Sequence, residues 1–201
     1  MKTLFLTSNI DVTRPLFEWL SNTDGNMSVI MWNEAINVSH FYEYEVLADI
    51  GFIVSYNYSY VVKQEVISLF PNKIINLHIS LLPWNRGAAP NIFSFLESTP
   101  CGVTIHEINA GIDTGDILLQ KEISFDYAKE SLMSSYKKSH ELIQKVFKEN
   151  WNALKRGDIT PQKQCGEFTY HRTSDLEPYK SIIDYADTIA EFLEKAACVK
   201  I

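Results

Sequence analysis

An α/β fold with a mostly parallel central sheet is what this sequence predicts, and three observations carry the prediction. Short apolar runs of strand character alternate along the chain with segments whose apolar residues recur at helical spacing. With 46% apolar and 21% charged residues, and only 8 Gly and 7 Pro, the 201 residues have the composition of one well-packed globular domain. Polar side chains gather just after Thr7, Ser55, His78 and Ile108, the carboxyl ends of four expected strands. Open parallel sheets bind their ligands at those ends.

The elements follow in order. Lys2–Thr7 is a short opening strand. Val12, Leu16, Phe17 and Leu20 mark a helix, with Thr13 as its expected cap and Pro15 in its first turn, where a missing N–H costs little. Ser28–Trp32 and Phe52–Ser55 read as strands, Lys63–Phe70 as a short helix with Val66, Ile67 and Phe70 on one face, and Lys73–His78 as a strand. Pro90–Leu96 is a helix opened by its proline. Val103–Ile108 and Ile117–Ile123 are strands joined by the loop Asn109–Asp116. Leu132, Tyr136, Ile143, Phe147 and Leu154 trace a long helix that stops at Arg156-Gly157. Beyond Ile159 come short extended pieces and an acidic amphipathic helix near Ile183–Ala197.

Charge and cysteine content narrow the function. Eighteen Lys and Arg against 25 Asp and Glu give −7, the wrong sign for binding a nucleic-acid backbone. Three scattered cysteines, Cys101, Cys165 and Cys198, form no disulfide framework and read as free thiols of a reducing compartment. The apolar stretch Thr3–Thr7 is too short for a signal peptide, and no run approaches the ~18 apolar residues of a membrane span. The expectation is a cytoplasmic protein with no membrane and no nucleic-acid partner.

Chemistry concentrates in one stretch. Asn76 and His78 alternate on an apolar strand and so face the same side. Buried without partners such a pair is costly, so it is either a satisfied structural pair or a working one. Gly111-Ile112-Asp113-Thr114-Gly115-Asp116 is a tight loop with two carboxylates, and on its own it reads equally as a polar turn. His106 lies between them on a strand. Asn76 is a poor metal ligand, and there is no HExxH and no Cys/His cluster, so no metal is expected.

The order of these residues, Asn-x-His-x-Ser-Leu-Leu-Pro from Asn76, then Gly-Val-Thr-Ile-His to His106, then Asp113-Thr114-Gly115, resembles the folate-dependent formyltransferases. That family includes glycinamide ribonucleotide transformylase, methionyl-tRNA formyltransferase and the sugar N-formyltransferases. The resemblance runs from about Lys2 to Ala153. It implies a Rossmann-like, doubly wound, mostly parallel sheet as the formyltransferase catalytic domain, residues 1–157, with a short C-terminal extension, 158–201, packed on the same domain. It implies Asn76, His78 and Asp113 as the catalytic trio and His106 as the second active-site histidine behind them. Ile79 stands where the family usually has proline. The substitution frees one backbone φ and restores an N–H without removing a reacting group.

The resemblance further implies 10-formyltetrahydrofolate as formyl donor, bound by Ser59-Tyr60-Val61 and by Ile108, Asn109 and Gly111. The aromatic run Tyr56–Tyr60 accords with a flat ligand, and equally with a strand carrying tyrosines on one face. For the acceptor, Ser8, Asn9 and Arg14 stand where a helix N-terminus follows the first strand. No glycine-rich phosphate loop is present there, which speaks against a ribose monophosphate. Trp84 and Arg86 belong to a loop, Trp84–Pro90, similar to the Arg-Gly loop beside the acceptor in sugar and tRNA formyltransferases. Transfer-RNA members add a basic RNA-binding domain, and the acidic composition here leads us to expect none. The expected acceptor is a nucleotide-linked (UDP or dTDP) amino deoxysugar of the kind made for bacterial surface glycans. Glycinamide ribonucleotide, a carrier-bound aminoacyl group, or a non-catalytic folate- or nucleotide-binding module remain the alternatives.

Overall fold

The computed structural model describes residues 2–23 and 29–199. The chain runs β1 (Lys2–Leu6), α1 (Ile10–Thr23), β2 (Val29–Trp32), α2 (His40–Glu43), β3 (Ile50–Tyr56), α3 (Gln64–Leu69), β4 (Ile74–His78), β5 (Arg86–Gly87), α4 (Pro90–Leu96), β6 (Gly102–Glu107), β7 (Ile117–Glu122), α5 (Leu132–Arg156), β8 (Tyr170–His171) and α6 (Ile189–Ala196). Six strands form one sheet in the order β2-β1-β3-β4-β6-β7, and β5 pairs with β8 in a separate ribbon. β1 is parallel to both β2 and β3, and β3 to β4. The Glu107 amide donates to the Asp116 carbonyl and the Ile123 amide to that of Cys101, so β7 runs back along β6. The sheet is therefore mixed but mostly parallel, as expected. Its order reverses between β1 and β3, a switch point of the kind that opens a crevice at strand ends.

Two compact units divide the residues. One comprises 1–78, 105–118 and 147–163, the other 79–104, 119–146 and 164–201. The first unit's core joins Leu4, Leu6, Ile53 and Ile74 from the sheet to Ile36, Leu47, Val62 and Val66. The far half of α5 belongs to it, with the buried Trp151 ring 5.5 Å from Phe52 and stacked on Phe147. The second unit's core is Ile92, Phe95, Leu132, Ile189 and Phe192.

Several boundaries differ from expectation. Asn9, not Thr13, caps α1: its Oδ1 accepts from the Val12 amide and its carbonyl from the Thr13 amide. Thr13 lies inside the helix, buried, donating its hydroxyl to the Asn9 carbonyl and paired with Thr7. Pro15 accordingly sits beyond the first turn, and its missing N–H falls on the exposed side of α1. The expected strand at Ser28–Trp32 is seen from Val29, and Ser28 lies outside the described residues. α6 is shorter than the pattern from Ile183. The Leu132 and Met133 amides donate to the Asp187 and Tyr185 carbonyls, and the Thr188–Glu191 capping box starts the helix only after that pairing. α5 stops at Gly157, which takes φ 78°.

One helical histidine makes stability depend on pH. His140 of α5 is buried with its ring 4.3 Å from that of Tyr136, and burial pushes its imidazole down to about 4. The unfolded chain binds that proton near 6.5, so between about 6.5 and 4 it holds more protons than the folded one. Stability is full above pH 6.5 and falls as pH drops toward 4, by about 3 kcal/mol for a shift of this size. Urea midpoints at pH 7.5 and 4.5 should separate in the wild type and draw together in His140→Gln. Equal separation in both would assign the acid sensitivity to other groups.

Candidate active site

β4 delivers Asn76 and His78 two residues apart on one side of the sheet, with Asn76 in register with Ser55 of β3. β6 delivers His106, 1% exposed. The loop between β6 and β7 delivers Asp113 in the left-handed region, φ 52°, which Asp tolerates better than most residues. Asn109 shapes that loop: its Oδ1 accepts from the Gly111 amide and the Thr114 hydroxyl. Two glycines leave the loop its space. A Cβ on Gly111 would lie 2.2 Å from the Thr114 hydroxyl, and one on Gly115 would lie 1.7 Å from the Glu107 carbonyl oxygen.

The four side chains meet. Asn76 Nδ2 lies 3.2 Å from Asp113 Oδ1 and 3.2 Å from His106 Nε2. His106 Nε2 lies 3.4 Å from Asp113 Oδ1, and His78 Nδ1 lies 3.7 Å from Asp113 Oδ2. His106 Nδ1 is 2.7 Å from the Glu107 carbonyl, which only accepts, so Nδ1 carries a hydrogen. Next to the cluster the Glu107 carboxyl is pushed up by burial and by the nearby Asp116. An amide donor, two imidazoles and a carboxylate thus share one site at the ends of β4 and β6. Such a set can stabilise a developing oxyanion and move a proton without a covalent nucleophile. Among the described residues no group of three or more His, Cys, Asp or Glu side chains is arranged to hold a metal ion.

The residues expected to hold a folate are dispersed over two segments of the same unit. The Ser59 amide donates to Ser8 Oγ, and Tyr60 and Val61 are exposed. The tyrosine run is not one continuous face. Asn57 turns left-handed at the end of β3, Tyr56 is buried, and the Tyr58 hydroxyl donates to the Glu34 carbonyl. Only Tyr60, its ring 5.4 Å from Tyr58, keeps an exposed face. Ile108 packs on the core and donates its amide to the Ile74 carbonyl, while Asn109 and Gly111 are exposed.

The expected acceptor residues have structural work as well. Ser8 holds the 57–59 segment, Asn9 caps α1, and Arg14 is exposed on α1. In the second unit Trp84 is half-buried, and Arg86 donates from Nε and Nη2 to Gln164 Oε1 while lying over the Phe168 ring at 4.6 Å. Sequence reasoning missed the residues that fix this loop. β8 pairs with β5, and the buried Asn85 donates to Ser94 and Thr99. It missed equally the Gln120 amide, which donates to the Leu82 carbonyl and Thr104 hydroxyl behind the His-x-Ser-Leu-Leu-Pro segment. Two-residue strands and single polar anchors leave no periodic signal by which to find them.

Comparison with known proteins bears on this geometry. Residues 40–150 match the family model described as formyl transferase. The crystal structure of the formyltransferase PseJ from Anoxybacillus kamchatkensis, in complex with UDP-4,6-dideoxy-4-formamido-L-AltNAc and tetrahydrofolate, is 32% identical with a TM-score of 0.84, covering 98% of this chain and 100% of that one. A methionyl-tRNA formyltransferase of Thermodesulfovibrio yellowstonii is 38% identical over 120 residues, 59% of this chain and 39% of its own length. A dTDP-4-amino-4,6-dideoxyglucose formyltransferase of Mycobacterium bovis is 27% identical over 124 residues, 61% of this chain and 53% of its own. The chain therefore spans only about half, or less, of these two curated relatives.

Proposed function

The chain belongs to the formyl transferase family, and from that premise we propose that it moves a formyl group from 10-formyltetrahydrofolate to the amine of a nucleotide-linked amino deoxysugar. The observation that carries the reading is the convergence of Asn76, His78 and Asp113 in a chain similar over 98% of its length to a formyltransferase crystallised with a UDP-linked formamido sugar and tetrahydrofolate. The exposed faces of Tyr60, Val61 and Ile112 and the backbone of the 108–112 loop suit a flat, heteroaromatic ligand. When bound, 10-formyltetrahydrofolate supplies the formyl carbon and the departing nitrogen.

The protein's residues then divide the work. Asn76 Nδ2 donates to the oxygen on which negative charge develops as the acceptor nitrogen bonds to the formyl carbon, an interaction typically of ~3–4 kcal/mol in such sites. His78 passes the proton that the attacking amine loses toward the nitrogen whose bond to carbon breaks, so the amine's proton becomes that of the leaving group. Asp113 faces His78 Nδ1 and orients the ring. Arg14 is the cation proposed for the acceptor diphosphate.

The test is a mass-spectrometric screen of the purified protein with 10-formyltetrahydrofolate and UDP- and dTDP-amino sugars, with glycinamide ribonucleotide alongside. One formyl group gained by a nucleotide sugar supports the reading. Formylated glycinamide ribonucleotide, folate deformylation with no amine product, or no turnover with any amine would each overturn it.

A further inference from the structure

We propose that His106 is a positioning residue that sets the direction of the Asn76 amide, and that a proton on its ring frees that amide for the reacting oxygen; this rests on the formyl-transfer reading above. The argument is one of donors and acceptors. His106 Nδ1 donates to the Glu107 carbonyl in either charge state. In the neutral ring Nε2 is therefore an acceptor, and it faces Asn76 Nδ2 at 3.2 Å. Asp113 Oδ1, also an acceptor, faces the same Nδ2 at 3.2 Å. The Asn76 amide nitrogen is thus directed inward, between His106 and Asp113. The opposite amide orientation would set Oδ1 against two acceptors, so the hydrogen-bond pattern selects Nδ2.

Protonation of His106 changes that pattern. Nε2–H is a donor, and it faces the donor Nδ2 of Asn76; the two cannot bond. The new N–H has an acceptor in Asp113 Oδ1, 3.4 Å away. Asn76 then loses one inward partner and shares the other, and an amide hydrogen becomes available to a third group. Both bonds holding the neutral arrangement are at the long end of the normal range, so little is lost on release. The groups facing His106 are Asn76 and His78 from β4, with the two rings 6.2 Å apart between centroids, and Asp113 from the loop. Glu107 follows it on β6, with Asp116 beside Glu107. An oxyanion donor that is engaged until the site carries a proton would be spent on the transition state rather than on ground-state binding.

The experiment has two readouts on the intact protein. In the first, NMR follows the Asn76 side-chain amide of the wild type, assigned through Asn76→Ser, across a pH titration without substrate. Its resonances should shift with the ionisation of the His106 ring and should not do so in His106→Gln. In the second, kcat and KM are measured against pH. His106→Gln should lose about tenfold or more in kcat, with KM values within twofold, and should lose one ionisation from the kcat profile. Asn76 amide resonances that ignore His106 titration, or an unchanged kcat profile in His106→Gln, would overturn the proposal. The NMR titration needs no turnover, so it decides this inference even if the protein formylates no amine in the screen above.

Discussion

His78→Ala lowers kcat for formyl transfer by about 100-fold or more while folate affinity changes by less than threefold. The asymmetry follows from position. His78 faces the carboxylate of Asp113, whereas the segments proposed to hold the folate, 59–61 and 108–112, are anchored by Ser8 and by Asn109. Removing the imidazole takes away the proton carrier but leaves Asp113 tied to Asn76 and close to His106. Steady-state kinetics with a fluorescence-based folate titration makes the check. Turnover near the wild-type rate would falsify the assignment of His78 as proton carrier, and lost folate affinity at normal kcat would make it a binding residue.

Gly115→Ala should abolish measurable turnover, a loss of at least 100-fold, in a protein that still folds. The added Cβ would fall 1.7 Å from the Glu107 carbonyl oxygen and 2.6 Å from its carbon, which are backbone atoms with no rotamer to yield. The loop must move away from β6. That same carbonyl anchors His106 Nδ1, and the loop carries Asp113, so one methyl group displaces two members of the site together. The clash lies at a loop rather than in either core cluster, so the thermal midpoint should fall only modestly. Circular dichroism melting beside the kinetic assay separates the outcomes. Retained activity would mean that the loop tolerates displacement and that Asp113 placement is not critical.

These expectations also show where sequence reasoning reached and where it stopped. The sheet, the long helix α5 and the placement of Asn76, His78, His106 and Asp113 were legible. Strand alternation puts Asn76 and His78 on one side, and the ends of parallel strands are where such sheets assemble sites. The α1 cap was misplaced because Asn9 and Thr13 both suit a helix start, and only the backbone bonds to Asn9 distinguish them. The tyrosine run looked continuous because nothing in its residue types reveals that Asn57 turns left-handed and ends the strand.

The sequence by itself determined the class of fold, the acidic character, and which four polar residues stand on two neighbouring strands and the loop that follows them. Those properties are written in local periods of 2 and 3.6 and in residue type. Only the tertiary structure decided that Asn76 Nδ2 is shared between His106 and Asp113, that Gln164 and Phe168 hold Arg86, and that the β8 strand pairs with β5. These contacts join residues 30 to 84 positions apart, each through one or two hydrogen bonds or a single ring contact. Their partners are selected by distance and donor–acceptor sign once the chain has packed, and neither quantity has a period along the sequence.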